Sequence, residues 1–274
     1  MKLSLSVRVA EAPCKTKLHV PFSDLVQIAA EAGCAAVCMR ASAGGVQTPL
    51  DELGRMRSEV QQAGLVVSMV TADFDVPLNN DNGPNSLRDI GPSLDVAEAL
   101  GTDLIRICIK KEADIPFVNK AVEQAAERGI RLAHQCHTTS LFEEVDSMLA
   151  VLEQIGHSNF GIIYEPANLM LCSQKYGQET LERLQPYLMN VYVQNHQELP
   201  EGPVELPTFC KGQVRFQHLE LWEPGGVDYS EVFAGLKAIS YDGFFTIHQA
   251  RGIETTDDVR QYVDRCKSWF ESQF

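Results

Sequence analysis

Strand-like and helix-like segments alternate along the whole chain, and this alternation limits the possible folds more than any other feature. Apolar and β-branched runs predict eight strands, and the stretches between them carry apolar residues at helical spacing. In the first half, glycine separates helix from strand four times, as is typical of helices that lead into parallel strands. The predicted strands cover residues 3–8, 35–40, 65–72, 103–109, 130–135, 160–165, 189–194 and 244–248.

Eight strand–helix units in a chain of 274 residues predict a (β/α)8 TIM barrel of the α/β class. A doubly wound open sheet is the alternative, but no glycine-rich phosphate-binding motif follows any of the strands. We therefore expect a single barrel domain over residues 1–274. The irregular segment 196–227 is interpreted as a lid over the barrel mouth or as a dimer contact.

Charge and cysteine usage exclude several classes of partner. The chain has 23 basic and 37 acidic residues, giving a net charge of −14, and it has no basic run. Such a surface repels phosphate backbones, so no nucleic-acid partner is expected. The eight cysteines form no C-x-x-C pair, and no apolar run approaches the roughly 20 residues of a membrane span. A soluble, reduced, cytoplasmic protein without a membrane partner is the expectation.

Polar side chains collect where the predicted strands end, which is where barrels of this type place their active sites. The last four strands end in imidazoles, amides and one carboxylate. Gln135 and His137 point to the same side because side chains alternate along a strand, whereas His134 and Cys136 point outward. The expected substrate-binding residues are Arg8, Gln135, His137, Asn168, Tyr192 and Gln194.

Four segments resemble the xylose-isomerase-like barrel superfamily of sugar-phosphate isomerases and epimerases: ALGTDLIRI (99–107), YEPANL (164–169), NVYVQNH (190–196) and GGVDYSEVFAGLKAISYDGFFTIHQ (225–249). The resemblance implies a divalent metal held by one residue from each of the last four strands. The usual set is Glu, Asp, His and Glu, and the two Glu also move protons between adjacent carbons of the sugar.

This chain departs from that pattern at all four positions. Alignment by motif places the two Glu on Gln135 and His248, the Asp on Glu165 and the His on Tyr192. The set then carries one negative charge instead of three, so affinity for Mg²⁺ should fall steeply. If a metal binds, Zn²⁺ or Mn²⁺ held by Glu165 and His248, with Gln135 or His137, is the alternative to no metal at all.

The leading hypothesis is an isomerase or epimerase that transfers a proton next to a carbonyl of a sugar-derived substrate. A dehydratase is a variant of it. Glu165 and His248 would act as acid and base, and Gln135 would orient the substrate. A barrel that binds a sugar without turnover is the first alternative. An apurinic-site endonuclease is the second, although it needs a zinc cluster and a basic face that this sequence lacks.

Overall fold

Eight parallel strands close into a barrel in the computed structural model, which describes all residues 1–274. The first strand pairs with the second and also with the last, through Ser4↔Ala36 and Lys2↔Phe244. This double pairing excludes an open sheet and confirms the predicted barrel. In spatial order, the barrel strands are β1 (Lys2–Ser6), β2 (Ala36–Arg40), β3 (Val66–Thr71), β4 (Leu104–Ile107), β5 (Arg131–Gln135), β6 (Phe160–Tyr164), β7 (Leu188–Val193) and β11 (Phe244–Ile247).

Helices surround the barrel and follow the predicted order. None of them combines the length and apolar character that crossing a bilayer requires. The helix that the sequence pattern predicts over residues 86–100 begins at Gly91, because residues 83–87 form a separate 3-10 turn and Pro92 suits the first helical turn. The helices are α1 (Phe22–Glu31), α2 (Leu50–Gln62), α3 (Asp75–Leu78), α4 (Gly91–Leu100), α5 (Ile115–Glu127), α6 (Val145–Ile155), α7 (Pro166–Leu171), α8 (Gln178–Leu184), α9 (Tyr229–Ala238) and α10 (Thr256–Glu271).

Gly101 shows why glycine ends a helix before a strand. It closes α4 in the left-handed conformation at φ 72°, which residues with a side chain rarely adopt. A Cβ atom here would also lie 2.5 Å from Nε of Arg57 on α2. The turn into β4 therefore depends on glycine for both its backbone angle and its packing.

Much of the segment predicted to be irregular forms a three-stranded antiparallel sheet. Its strands are β8 (Asn195–Glu198), β9 (Val204–Thr208) and β10 (Gly212–Leu219), with β10 in the centre. Pro207 lies in β9, an edge strand, where a missing backbone N–H leaves no central hydrogen bond unmade. Proline therefore misled the prediction of an irregular segment, because it is compatible with this edge position. We call residues 195–219 the cap sheet.

The apolar residues divide into two cores. A cluster of 65 buried residues fills the space around the barrel, whereas only six fill the barrel itself. Because side chains alternate along strands, the residue two positions further along points to the same side, one layer higher. That next layer is polar, so the inner core forms the floor of any site above it. The six residues are Cys38, Met69, Leu104, Ala133, Ile163 and Tyr192.

Truncation inside the barrel should be costly. Leu104 is 1% exposed in the inner core, whereas Leu50, the first residue of α2, is 55% exposed. We expect Leu104→Ala to lower the free energy of unfolding by about 2–5 kcal/mol, since it removes buried methyl groups and leaves a cavity. The matched Leu50→Ala should change it by less than about 0.5 kcal/mol. Urea denaturation of both variants tests this, and equal losses would contradict the two-layer description.

Candidate active site

A layer of polar side chains lies directly above the inner core, at the carboxyl ends of the strands. Each of five residues in this layer lies two positions after an inner-core residue, so the strand period alone brings them together. All five are buried. They are Arg40, Arg106, Gln135, Glu165 and Gln194.

Glu165 is the centre of this layer. Its carboxyl group accepts hydrogen bonds from Nε2 of Gln135, the last residue of β5, and from Nε2 of Gln194, which follows β7 on the other side. Nδ2 of Asn168 donates a third bond at 2.9 Å, and its other bond, 2.8 Å, goes to the carbonyl of Cys136. Asn168 lies one turn after Glu165 because α7 begins immediately after β6. Three amides from three parts of the chain therefore hold one carboxyl group in place.

The amides that hold Glu165 present unpaired oxygens. Oε1 of Gln135 and Oε1 of Gln194 are buried and accept no hydrogen bond. Nδ1 of His248 is likewise buried without a partner. A buried polar atom without a partner costs about 1–3 kcal/mol, so such atoms at a cavity indicate a polar ligand.

Burial raises the pKa of Glu165 to about 8, although Arg106, Arg8 and the bond from Gln194 pull the pKa down. The group is 0% exposed, and the cost of burying its charge outweighs these attractions. Glu165 is therefore mostly protonated at neutral pH and becomes a carboxylate as the pH rises through 8. A carboxyl group that titrates in this range can both donate and accept a proton.

His248 completes the strand-end layer on β11. Its ring stacks on that of Tyr192, with centroids 3.8 Å apart and planes at 15°. Burial, followed by the nearby guanidinium of Arg8, lowers the pKa of His248 well below its ordinary value. His248 therefore stays neutral over the physiological range and offers one N–H donor and one acceptor.

Tyr192 lies one layer lower than the motif alignment implied. Its hydroxyl contacts Sγ of Cys38 at 3.2 Å, and its ring belongs to the inner core beneath His248. On β7, the residue that reaches Glu165 is Gln194, two positions further along the same face. The strand period had identified the correct face but not the depth, so we correct the position from Tyr192 to Gln194.

A cavity of about 380 Å³ opens above this layer. Gln135, His137, Asn168, Gln194 and His248 line its floor, and the cap sheet supplies the opposite wall. Of the residues expected from the sequence to bind substrate, all but Tyr192 line this cavity. Residues of the wall that lie outside the predicted substrate-binding set include Lys15, Asn79, Arg106, Leu206, Phe216 and His218.

Four histidines line the cavity, and all of them are neutral at pH 7. Burial lowers the pKa of His196 to about 3 and that of His218 to about 4. It also lowers the pKa of His137 well below the ordinary value, and Nδ1 of His137 contacts the carbonyl of Thr138 at 3.0 Å. The histidines therefore add hydrogen-bonding groups to the site but no charge.

A buried ion pair closes the bottom of the site on the β1–β2 side. Nε of Arg40 lies 2.7 Å from Oε1 of Glu11, Nη2 lies 3.1 Å from Oε2, and Ser42 donates to the same carboxylate at 2.6 Å. Burial works to raise the pKa of Glu11, but the two guanidiniums of Arg40 and Arg8 lower it overall. Glu11 is therefore ionised, and it neutralises Arg40.

The outward residues of the β5 segment pack as the strand period predicts. His134 stacks on Phe142 at 4.3 Å, and Sγ of Cys136 lies 3.7 Å from Sδ of Met148 on α6. Neither residue lines the cavity. The sequence HQCH therefore alternates between the barrel exterior and the site.

The profile of the xylose isomerase-like TIM barrel family matches residues 26–269. The chain belongs to this family. A search of curated proteins by sequence finds no match.

Solved structures of this family superpose on nearly the whole chain. A probable 3-DHS dehydratase, AsbF, from Bacillus anthracis has a TM-score of 0.71 and 16% identity, over 97% of this chain and 98% of its own. A D-allulose 3-epimerase from Methylomonas sp. gives 0.71 and 13%, over 100% and 98%. A family protein from Mycobacterium smegmatis, solved in complex with magnesium, gives 0.65 and 15%, over 98% and 97%. At these identities the likeness establishes the fold alone.

The strand-end residues do not fit a divalent metal of the kind that this family implies. Glu165 supplies the only carboxylate, and three amide N–H groups already bind it. Two positively charged guanidiniums, of Arg8 and Arg106, act on the same carboxyl group. Hard cations need anionic oxygen, and here they would meet amides and positive charge instead. The geometry thus disfavours the predicted set of Glu165, His248, Gln135 and His137 as metal ligands.

A different group of residues has the spacing of a metal site. One donor atom each of Glu143, Cys172 and Cys210 lies within 4.8 Å of the others. Both oxygens of Glu143 already accept bonds of 2.8 Å from the backbone N–H of Phe209, and Oε2 also accepts one of 2.8 Å from Cys210. The carboxylate therefore anchors the β9–β10 turn of the cap sheet to the barrel. Thiol ligands would suit zinc rather than magnesium.

Removing one partner of the buried Arg40–Glu11 pair should lower the free energy of unfolding more than breaking a surface ion pair does. Glu11→Gln leaves the buried Arg40 charge uncompensated, so we expect a loss of about 3–5 kcal/mol in the free energy of unfolding. Asp51→Asn breaks an exposed pair with Arg55 and should cost less than about 1 kcal/mol. Urea denaturation checks both. The double variant Glu11→Gln, Arg40→Met should be more stable than Glu11→Gln alone; otherwise the loss has another cause.

Because the pKa of Glu165 is raised in the folded chain, the contribution of this residue to stability should depend on pH. Below the ordinary pKa of 4.5, both folded and unfolded chains carry the proton. As the pH rises towards 8, only the unfolded chain ionises, so this residue's contribution to stability is lost. The difference in Tm between Glu165→Gln and the wild type should therefore grow in the variant's favour from pH 5 to pH 9. Scanning calorimetry across this range tests it, and a constant difference would show that the pKa is not raised.

Proposed function

We propose that this chain is an enzyme of the isomerase and epimerase type that moves a proton next to the carbonyl of a sugar-derived substrate. The observation that carries the proposal is the position of Glu165, a titratable carboxyl group held by the amides of Gln135, Asn168 and Gln194, and these three residues line the cavity. Membership of a family whose solved members include an epimerase and a dehydratase supports the same class of chemistry.

Glu165 is suited to take a proton from carbon. As a carboxylate it would accept the proton of a C–H bond next to the substrate carbonyl, forming its own O–H bond and leaving an enediolate. It would then return the proton from the same face to the neighbouring carbon, which is isomerisation; epimerisation would need a second proton donor on the opposite face. A pKa of about 8 makes it a stronger base than an ordinary glutamate, so the transfer is less uphill.

The surroundings of Glu165 suit the charge that would develop on the substrate. The enediolate carries negative charge on oxygen, and buried cations stabilise such charge strongly because water does not screen them. Arg106 and Arg8 supply positive charge near Glu165. His248 stays neutral and would donate a hydrogen bond or relay a proton to an oxygen, whereas Glu165 would be the carbon base. Glu165 and His248, which the sequence predicts as an acid and base pair, would therefore have different roles: Glu165 would act on the proton at carbon, and His248 would act at oxygen.

A barrel that binds sugars without turnover is the second candidate. The amides of Gln135 and Gln194 favour it, because a carboxamide has no useful proton affinity and Glu165 is the only carboxylate among the strand-end residues. An apurinic-site endonuclease finds less support, since the chain's charge of −14 opposes binding to a phosphate backbone. In either catalytic or binding use, we propose that the cap sheet acts as the lid over the cavity.

Exchange of carbon-bound hydrogens of the substrate with solvent distinguishes the enzyme from the barrel that binds sugars without turnover. The wild type is incubated in D2O with a panel of ketoses, aldoses, sugar acids and sugar phosphates, and deuterium incorporation at carbon is followed by NMR. We expect exchange in at least one substrate, and a fall of about 10²–10⁴-fold in Glu165→Gln.

Glu179→Gln is the matched control, because Glu179 is exposed on α8 and pairs only with Lys175. This variant should keep the wild-type rate. Binding of a sugar without exchange in the wild type would favour the binding barrel. Full activity of Glu165→Gln would exclude Glu165 as the base.

A further inference from the structure

Arg106 is a buried cation without a partner in the protein. It lies on β4, is 5% exposed and lines the cavity. Its Nε has no hydrogen-bond partner, and no salt bridge of the structure includes it. Burying an unpaired charge costs several kcal/mol, so a guanidinium in this state calls for an anion that the chain does not supply.

Two further cations line the same cavity. Arg8 follows β1 and donates through Nη2 to Oε1 of Gln249 at 2.9 Å, while its Nε is buried without a partner. The nearest carboxylate oxygen, Oε2 of Glu11, is 3.9 Å from Nη1 and is already bonded to Arg40. Lys15 stands at the edge of the cavity with no side-chain hydrogen bond.

The residues around the cavity carry more positive than negative charge. Arg40 and Glu11 neutralise each other, which leaves Arg8, Arg106 and Lys15 against Glu165. The cavity therefore carries a formal charge of at least 3 − 1 = +2, in a chain whose net charge is −14. Because the histidines in the wall are neutral, this excess belongs to the arginines and the lysine. A local charge opposite to that of the whole chain is most simply explained by an anionic ligand.

We propose that Arg106, together with Arg8, forms a subsite for an anionic group, a carboxylate or a phosphate, carried by the substrate. The proposal deepens the proposed function, on which it rests for the identity of the remainder of the ligand as a sugar derivative. Planar guanidiniums bind carboxylate and phosphate oxygens through two parallel N–H bonds, which a neutral sugar cannot match.

The rest of the cavity explains why the ligand should be a polyol as well as an anion. The free oxygens of Gln135 and Gln194 accept hydrogen bonds and would repel an anion, so they suit hydroxyl donors. Gln135 is the last residue of β5, and Arg106 lies on the adjacent strand β4, which pairs with β5 through Arg106↔Ala133. The anion-binding and hydroxyl-binding groups therefore lie on neighbouring strands, within reach of one small molecule.

Calorimetric titration at fixed ionic strength tests the subsite without turnover. The probes are D-glucuronate, D-glucose 6-phosphate, D-glucose, inorganic phosphate and acetate. We expect the wild type to bind at least one anionic sugar about tenfold or more tightly than D-glucose, since hydrogen bonds to charged groups supply about 1.5–3 kcal/mol. Tight binding of glucuronate alone identifies a carboxylate, and tight binding of the sugar phosphate or of phosphate identifies a phosphate.

Arg106→Met should abolish this preference, so that this variant binds the anionic sugars no more tightly than it binds D-glucose. Its unliganded Tm should rise, because an unpaired buried charge has been removed. Arg131→Met is the matched control: Arg131 begins β5 at the opposite end of the barrel, has a side chain 38% exposed and should retain the anion preference. Arg106→Lys keeps the positive charge but loses the planar guanidinium, so its preference for anionic probes should be intermediate. This variant replaces Arg106→Met in the test if Arg106→Met does not fold.

Two results would overturn the subsite: no preference for any anionic probe over D-glucose in the wild type, or a preference that survives in Arg106→Met. Failure of the proposed function has a different signature. If Glu165→Gln lost no activity, or if no substrate exchanged its protons, an anion preference that depends on Arg106 would still stand.

Discussion

The burial of one carboxyl group at the top of the barrel organises the rest of the site. Glu165 is removed from water completely, so its oxygens need partners from the protein. Gln135, Gln194 and Asn168 supply them from β5, β7 and α7, and their geometry fixes the carboxyl group without giving it a counter-ion. Amide donors satisfy the oxygens but compensate only part of the charge, which is why the pKa of Glu165 rises instead of falling.

The same constraint explains how positive charge is distributed around the cavity. Arg40 is paired with Glu11 below the cavity, so it contributes packing and order rather than free charge. Arg106 is left without a partner, and Arg8 reaches only a carboxylate that Arg40 already occupies, at 3.9 Å; both lower the pKa of Glu165 without ionising it at neutral pH. The site therefore holds positive charge, a proton-carrying acid and neutral imidazoles close together. An anionic, hydroxylated molecule complements all three features.

The barrel, and most of the residues that the structure brings together at the strand ends, can be predicted from sequence because the strand period and the helix–glycine–strand rhythm are local signals. Gln135 and Glu165 stand directly at strand ends, and Asn168 lies one helical turn further on, in α7. Tyr192 was assigned one layer too high, because a period of two gives the face but not the depth. The sequence also offers Arg106, a charged residue in the otherwise apolar strand LIRI, as a ligand for phosphate or carboxylate, but taken alone it favours a surface or ion-pair role for this residue. The cap sheet and His218 could not be predicted, because their place over the mouth depends on contacts distant in sequence.

The amides of Gln135 and Gln194 change the character of the site rather than simply weakening it. A carboxamide has nearly the shape of a carboxylate, so Gln135 preserves the outline of the Glu that the family resemblance implies there, but its Nε2 donates where a carboxylate would accept. The Nε2 groups of both residues stabilise the carboxyl group of Glu165. Their free oxygens suit hydroxyl groups, whereas Arg106 supplies the attraction for an anion. A site arranged in this way would stabilise developing negative charge on a substrate oxygen through guanidiniums and N–H groups, which are the groups that this chain supplies there.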